Sequence, residues 1–165
     1  MILRLIRVYT EFSPHISHDV FYTKVVIVEN NRLIMYHKHS SSARVKFFIL
    51  NGSVCHFDGL PPSAKIVDSS ISEEQVVDYP ETLLPSSKKR LGLSSNILKI
   101  EKTFQASVKS DDLTIDIYLA GFTTIDPPHE QLADLGGKFI AITEARRLPS
   151  VEIELLGLAY SWMMD

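Results

Sequence analysis

From Leu113 to Phe122 the chain alternates, with Leu113, Ile115, Ile117 and Leu119 on one side and Thr114, Asp116, Tyr118 and Ala120 on the other. A period of two marks a strand with one face turned to a core. Such a strand needs partners for its backbone N–H and C=O groups. The apolar stretch 97–108 supplies one, and Ser110-Asp111-Asp112 supplies a tight turn between the two. This hairpin sets the terms for the rest of the chain, which must cover its apolar face.

Similar units precede it. Residues 3–12 read as a strand stopped by Ser13-Pro14-His15, since proline removes a ladder donor. Residues 20–29 and 32–36 flank Asn30-Asn31, and asparagine tolerates the left-handed conformations of a two-residue turn. The polar run Lys38 to Ser42 forms a loop. Residues 45–50 and 53–57 flank Asn51-Gly52, the strongest short hairpin signal. A short strand follows at 64–67. Residues 69–96 carry serines and prolines and little apolar periodicity, so they read as a long connection with one helical turn at 72–77. Lys88-Lys89-Arg90 within it reads as a solvated face.

The pattern then turns helical. Asp126 suits an N-cap and Pro127 a first helical position, and Gly136-Gly137 would close a helix over 129–135. Residues 138–147 fit two readings. Leu132, Leu135, Phe139 and Ile142 recur at helical spacing, whereas the run 139–143 would also make a strand; helix is favoured for the second half. After Leu148-Pro149, Ser150 would cap a helix over 151–164 with Glu152 and Glu154 near its positive end. That helix is apolar nearly all round, as expected of one buried in a core or at a subunit contact. The expected fold is therefore α+β: an antiparallel sheet or barrel of hairpins over residues 3–122, with C-terminal helices packed on it, as a single domain spanning 1–165.

Charge and cysteine content bound the partners. The formal net charge is −3, with a sequence pI near 6.1, which disfavours nucleic acid. One cysteine, Cys55, cannot form an internal disulfide. The first residues lack the apolar run of a signal peptide, and no stretch approaches the ~20 apolar residues of a membrane span. A cytoplasmic protein is expected. No nucleotide-binding loop or Gly-x-Ser-x-Gly elbow occurs. Cys55 and His56 are neighbours on an extended segment, so they point to opposite faces; Cys55 reads as a small buried residue.

Three local patterns carry chemistry. His37-Lys38-His39 on a strand would turn both imidazoles to one side, where they could grip a metal. This segment resembles the first motif of the cupin family, with Asn31 at the family's glycine position and Gly52 at its turn glycine. Arg44 stands near the place of the family's glutamate ligand. The resemblance implies a divalent metal on His37 and His39; His15 and His18 could supply further ligands only if the tertiary fold brought them there. Residues 25–28, a turn and 33–38 are similar to the first hairpins of pleckstrin-homology domains, which implies phosphate contacts by Lys24, Arg32, Lys38, Arg44 and Lys46. Residues 132–147, with Ala133 and Gly137 at the turn, look like a helix-turn-helix.

The leading expectation is a non-enzymatic binding or adaptor protein without a cofactor. It would associate with itself or another protein through Leu155, Leu158, Trp162 and Met163 of the last helix. The alternatives are a cupin-like metal-dependent enzyme using His37 and His39, and a DNA-binding regulator.

Overall fold

The computed structural model describes residues 6–10, 23–27, 30–71 and 79–165. Backbone contacts divide it into two compact units, Met1–Asn30 and Asn31–Asp165. In the first, β1 (Ile6–Thr10) and β2 (Thr23–Ile27) pair antiparallel, with Ile6 opposite Ile27. The expected stop at Ser13-Pro14-His15, the candidate ligands His15 and His18, and the expected turn at 72–77 lie outside the described residues, as does the Lys24 side chain.

The second unit is built on a mixed seven-stranded sheet in the order β5-β7-β8-β3-β4-β9, with β6 also on β8. Its strands are β3 (Asn31–Lys38), β4 (Val45–Ile49), β5 (Lys65–Ile71), β6 (Leu98–Ile100), β7 (Phe104–Ser110), β8 (Leu113–Phe122) and β9 (Lys138–Ile140). The helices are α1 (Leu83–Leu91), α2 (His129–Asp134), a 3-10 helix (Ile142–Arg147) and α3 (Ser150–Met164). The α+β class holds, but the sheet is open between end strands β5 and β9, not a barrel. It is also not purely antiparallel, because β3 runs parallel to β8, Tyr36 opposite Gly121.

Two of the expected hairpin turns form. Leu50 and Ser53 exchange backbone hydrogen bonds of 3.0 and 3.1 Å around Asn51-Gly52, whose φ values of 53° and 77° fit a primed turn. Ser110 pairs with Leu113 around Asp111-Asp112. Within the first unit β2 lies on β1, and within the second β3 is bonded to β4 and β8. The segment after Gly52 leaves β4, and His56 bridges to Leu33 on β3 instead.

Both faces of the sheet are covered. On one, Ile34, Phe47, Phe104, Val108, Ile115, Ile117 and Leu119 pack with Val151, Leu155, Leu156 and Ala159 of α3. On the other, Leu33, Met35, Phe48, Leu98, Tyr118, Ala120 and Phe122 pack with Leu83 and Leu91 of α1 and Leu132 of α2. Period two assigns Ile115, Ile117 and Leu119 to the α3 face, as expected. The second half of β8 is buried on its other face too, beneath α1 and α2.

The connection expected over 69–96 contains α1. Leu83, Ser87 and Leu91 are its buried residues, spaced by four along one face. Lys88, Lys89 and Arg90 therefore end a helix, where cations suit its dipole. Gly92 closes it at φ 64°, with Leu93 N–H on the Lys88 carbonyl at 2.8 Å, the left-handed cap that glycine favours. Pro128, not Asp126, precedes α2, and Pro149, not Ser150, precedes α3. Residues 138–147 divide between the two readings: β9 first, then a 3-10 helix.

A cationic cleft beside the β3–β4 hairpin

β3 and β4 pair antiparallel with His37 opposite Lys46. Beyond them the loop 40–43 is closed by His39 N–H on the Arg44 carbonyl at 2.9 Å. Side chains two apart share a face of a strand, and so do directly opposed residues. His37, His39, Arg44 and Lys46 therefore belong to one face. It is the α1–α2 face, since Met35 and Phe48 precede and follow them at the same parity. Phe139 of β9 joins that face opposite Phe48.

Only the first residue of α2 reaches the cleft on this face. What remains is a cleft of about 450 Å³ lined by His37, His39, Ser42, Arg44 and Lys46 from the hairpin, Asp126, Pro127 and His129 from the start of α2, and Phe139. His129 stands edge-on to the Phe139 ring, centroids 5.1 Å apart. The volume is within the ~300–1,000 Å³ of small-molecule sites.

The charges are uneven. Arg44 and Lys46 make no ion pair or side-chain hydrogen bond among the described residues. Among the described residues Asp126 is the only carboxylate lining the cleft. His37 is buried, and its Nε2–H donates to the Thr124 carbonyl at 3.1 Å. His39 Nδ1 accepts from the Ser41 N–H at 3.3 Å, with the Ser41 hydroxyl 3.1 Å away.

Strand spacing thus brings His37 and His39 to one site, with ring centroids 6.4 Å apart. Among the described residues, however, no three His, Cys, Asp or Glu side chains come together so as to hold a metal ion. Structural metal sites need about four ligands and catalytic ones about three, so the described residues do not fit the metal that the cupin likeness implies. The open sheet likewise departs from both barrel likenesses, cupin and pleckstrin-homology. Helix-turn-helix geometry is absent at 132–147, because β9 follows α2.

The remaining sequence candidates lie elsewhere. Leu155 is wholly buried in the chain's own core, so it presents no surface, whereas Leu158, Trp162 and Met163 are partly buried against that core. Cys55 is also buried, and its thiol is pushed well above its usual range by burial, with Glu152 adding to the effect and Arg32 opposing it. A thiol held protonated is a poor nucleophile.

Sequence reasoning did not single out Asp126, His129 and Phe139 as site residues. They come from segments distant from the hairpin, and no local spacing connects them to it. No known family model matches the chain, and no curated protein matches it in sequence. Among the described residues no helix is long and apolar enough to cross a membrane.

Proposed function

We propose that this chain is a non-enzymatic binding protein whose site is the cleft beside His37 and His39, and whose ligand is a small anion. The observation that carries the reading is the pair Arg44 and Lys46, lining one cleft without an ion-pair partner among the described residues. Among the described lining residues two cations face one carboxylate, which leaves a positive field, and a guanidinium offers a fork of donors suited to carboxylate or phosphate. Inorganic phosphate is the simplest probe. Titrated into 15N-labelled protein at low salt, it should shift amide resonances of the β3–β4 hairpin and of the start of α2. Affinity should fall with added salt and at least tenfold in the double variant Arg44→Glu/Lys46→Glu. Both residues are exposed, so the fold should tolerate the change. Equal affinity in that variant would rule the cleft out as the anion site.

Self-association through α3 is a second reading, favoured by a different observation. Ile153, Tyr160 and Met164 of this helix are more than a third exposed, and α3 carries no cation. Analytical ultracentrifugation should then show an oligomer that Tyr160→Glu/Met164→Glu converts to monomer; a monomeric parent chain at 100 μM would end this reading.

A further inference from the structure

The two imidazoles of the cleft are held so that they offer opposite groups to a ligand. His37 Nε2 contacts the Thr124 carbonyl. A carbonyl oxygen only accepts, so the hydrogen sits on Nε2 and the neutral ring keeps a bare lone pair on Nδ1. In His39 the nitrogen in use is Nδ1, which meets the Ser41 backbone N–H. A backbone N–H only donates, so Nδ1 is the acceptor and Nε2 carries the hydrogen. The nitrogens left over are an acceptor, His37 Nδ1, and a donor, His39 Nε2–H. Neither has a partner among the described residues, and both side chains line the one cleft.

A plain oxyanion presents only acceptors. It would satisfy Arg44, Lys46 and His39 Nε2–H but would leave the His37 lone pair unmatched. An anion that displaces water from that lone pair without replacing the bond loses binding energy, whereas a ligand hydroxyl in reach of it would recover that loss. We infer that the ligand is an anion bearing a hydroxyl next to its charge: the oxyanion meets Arg44, Lys46 and His39, and the hydroxyl donates to His37 Nδ1. A hydroxycarboxylate and a phosphate monoester of a polyol share this chemistry. The inference rests on the reading of the cleft as an anion site.

Two matched pairs of probes test it at pH 8: glycolate against acetate, and glycerol 3-phosphate against propyl phosphate. In at least one pair the hydroxylated member should bind at least fivefold tighter, and the pair that discriminates tells carboxylate from phosphate. His37→Leu should remove the preference for the hydroxylated member of each pair. Because His37 is buried and that variant can misfold, long-range 1H–15N spectra of the parent chain provide a second readout. The His37 Nδ1 resonance should start at the position of a bare lone pair and move when the hydroxylated probe, but not the plain one, is added. Equal binding within both pairs, or an unmoved Nδ1 resonance, overturns the hydroxyl requirement while the anion site stands. Failure of all four probes to bind overturns the anion site itself.

Discussion

Two buried polar residues show how much of this fold is held by groups that strand patterning does not reveal. The Glu152 carboxylate, 1% exposed, accepts the Ser53 hydroxyl at 2.7 Å and the Val54 N–H at 2.9 Å. It ties α3 to the segment after Gly52. The sequence marks Glu152 as an acid near a helix start; nothing in the spacing names Ser53 and Val54 as its partners. His56 is 3% exposed, and its Nε2–H donates to the Phe48 carbonyl at 2.9 Å. Burial lowers its pKa from 6.5 to about 4, with the carbonyl bond pulling the other way. The unfolded chain therefore takes up a proton below pH 6.5 that the folded chain refuses until about pH 4. Stability should be full above that window, fall as pH drops through it, and level off below, with a total loss of roughly 3 kcal/mol. Urea unfolding midpoints between pH 7 and 4 measure the slope. His56→Gln, whose amide can still donate to Phe48, should flatten it relative to the parent chain; parallel pH profiles would mean that His56 titrates alike in both states.

At the scale of elements, the turns were the legible part. Asn51-Gly52 and Asp111-Asp112 carry their own backbone preference, so local sequence suffices to place them. Asn30-Asn31 offers a similar signal, while β3 is bonded to β4 and β8, since strand partners are chosen by both edges and both faces. The helix α1 was missed because Pro85, Ser86 and Ser87 within it leave a buried stripe of only Leu83, Ser87 and Leu91, with a serine at its centre. The junction between α2 and β9 depends on a close approach. A Cβ on Gly137 would press into the Phe48 ring, which is fully buried, and sit 3.0 Å from the Leu132 carbonyl. Gly137→Ala must therefore push β9 or the ring aside. The expected cost is about 1–3 kcal/mol, read as a lower thermal midpoint, with weaker phosphate binding because Phe139 lines the cleft. A variant as stable as the parent would show that the ring relaxes freely.

The larger unit, Asn31–Asp165, is layered where the sequence suggested a closed or purely antiparallel sheet. The reason is connectivity. Hairpin signals report neighbours in the chain, but the centre of this sheet is the parallel pair β3 and β8, and a parallel pair requires a crossover that no turn motif announces. The apolar second half of β8 was the available hint, because a strand buried on both faces reads as a continuous apolar run. The candidate site was half legible for the same reason. The hairpin contributed His37, His39, Arg44 and Lys46 at readable spacing, while the opposite wall came from across that crossover.

The parallel pair also has a consequence for how the chain comes off the ribosome. β3 is made early, yet the edge that meets Asp116 to Gly121 stays open until almost the entire sheet has been translated. Closing so long a loop costs entropy before any contact repays it, and folds with distant pairings form slowly. For that interval an apolar strand, Leu33-Ile34-Met35, stands with an unmatched edge, as a template for any other extended segment that arrives first. The nascent chain therefore depends on speed or shelter until β8 emerges.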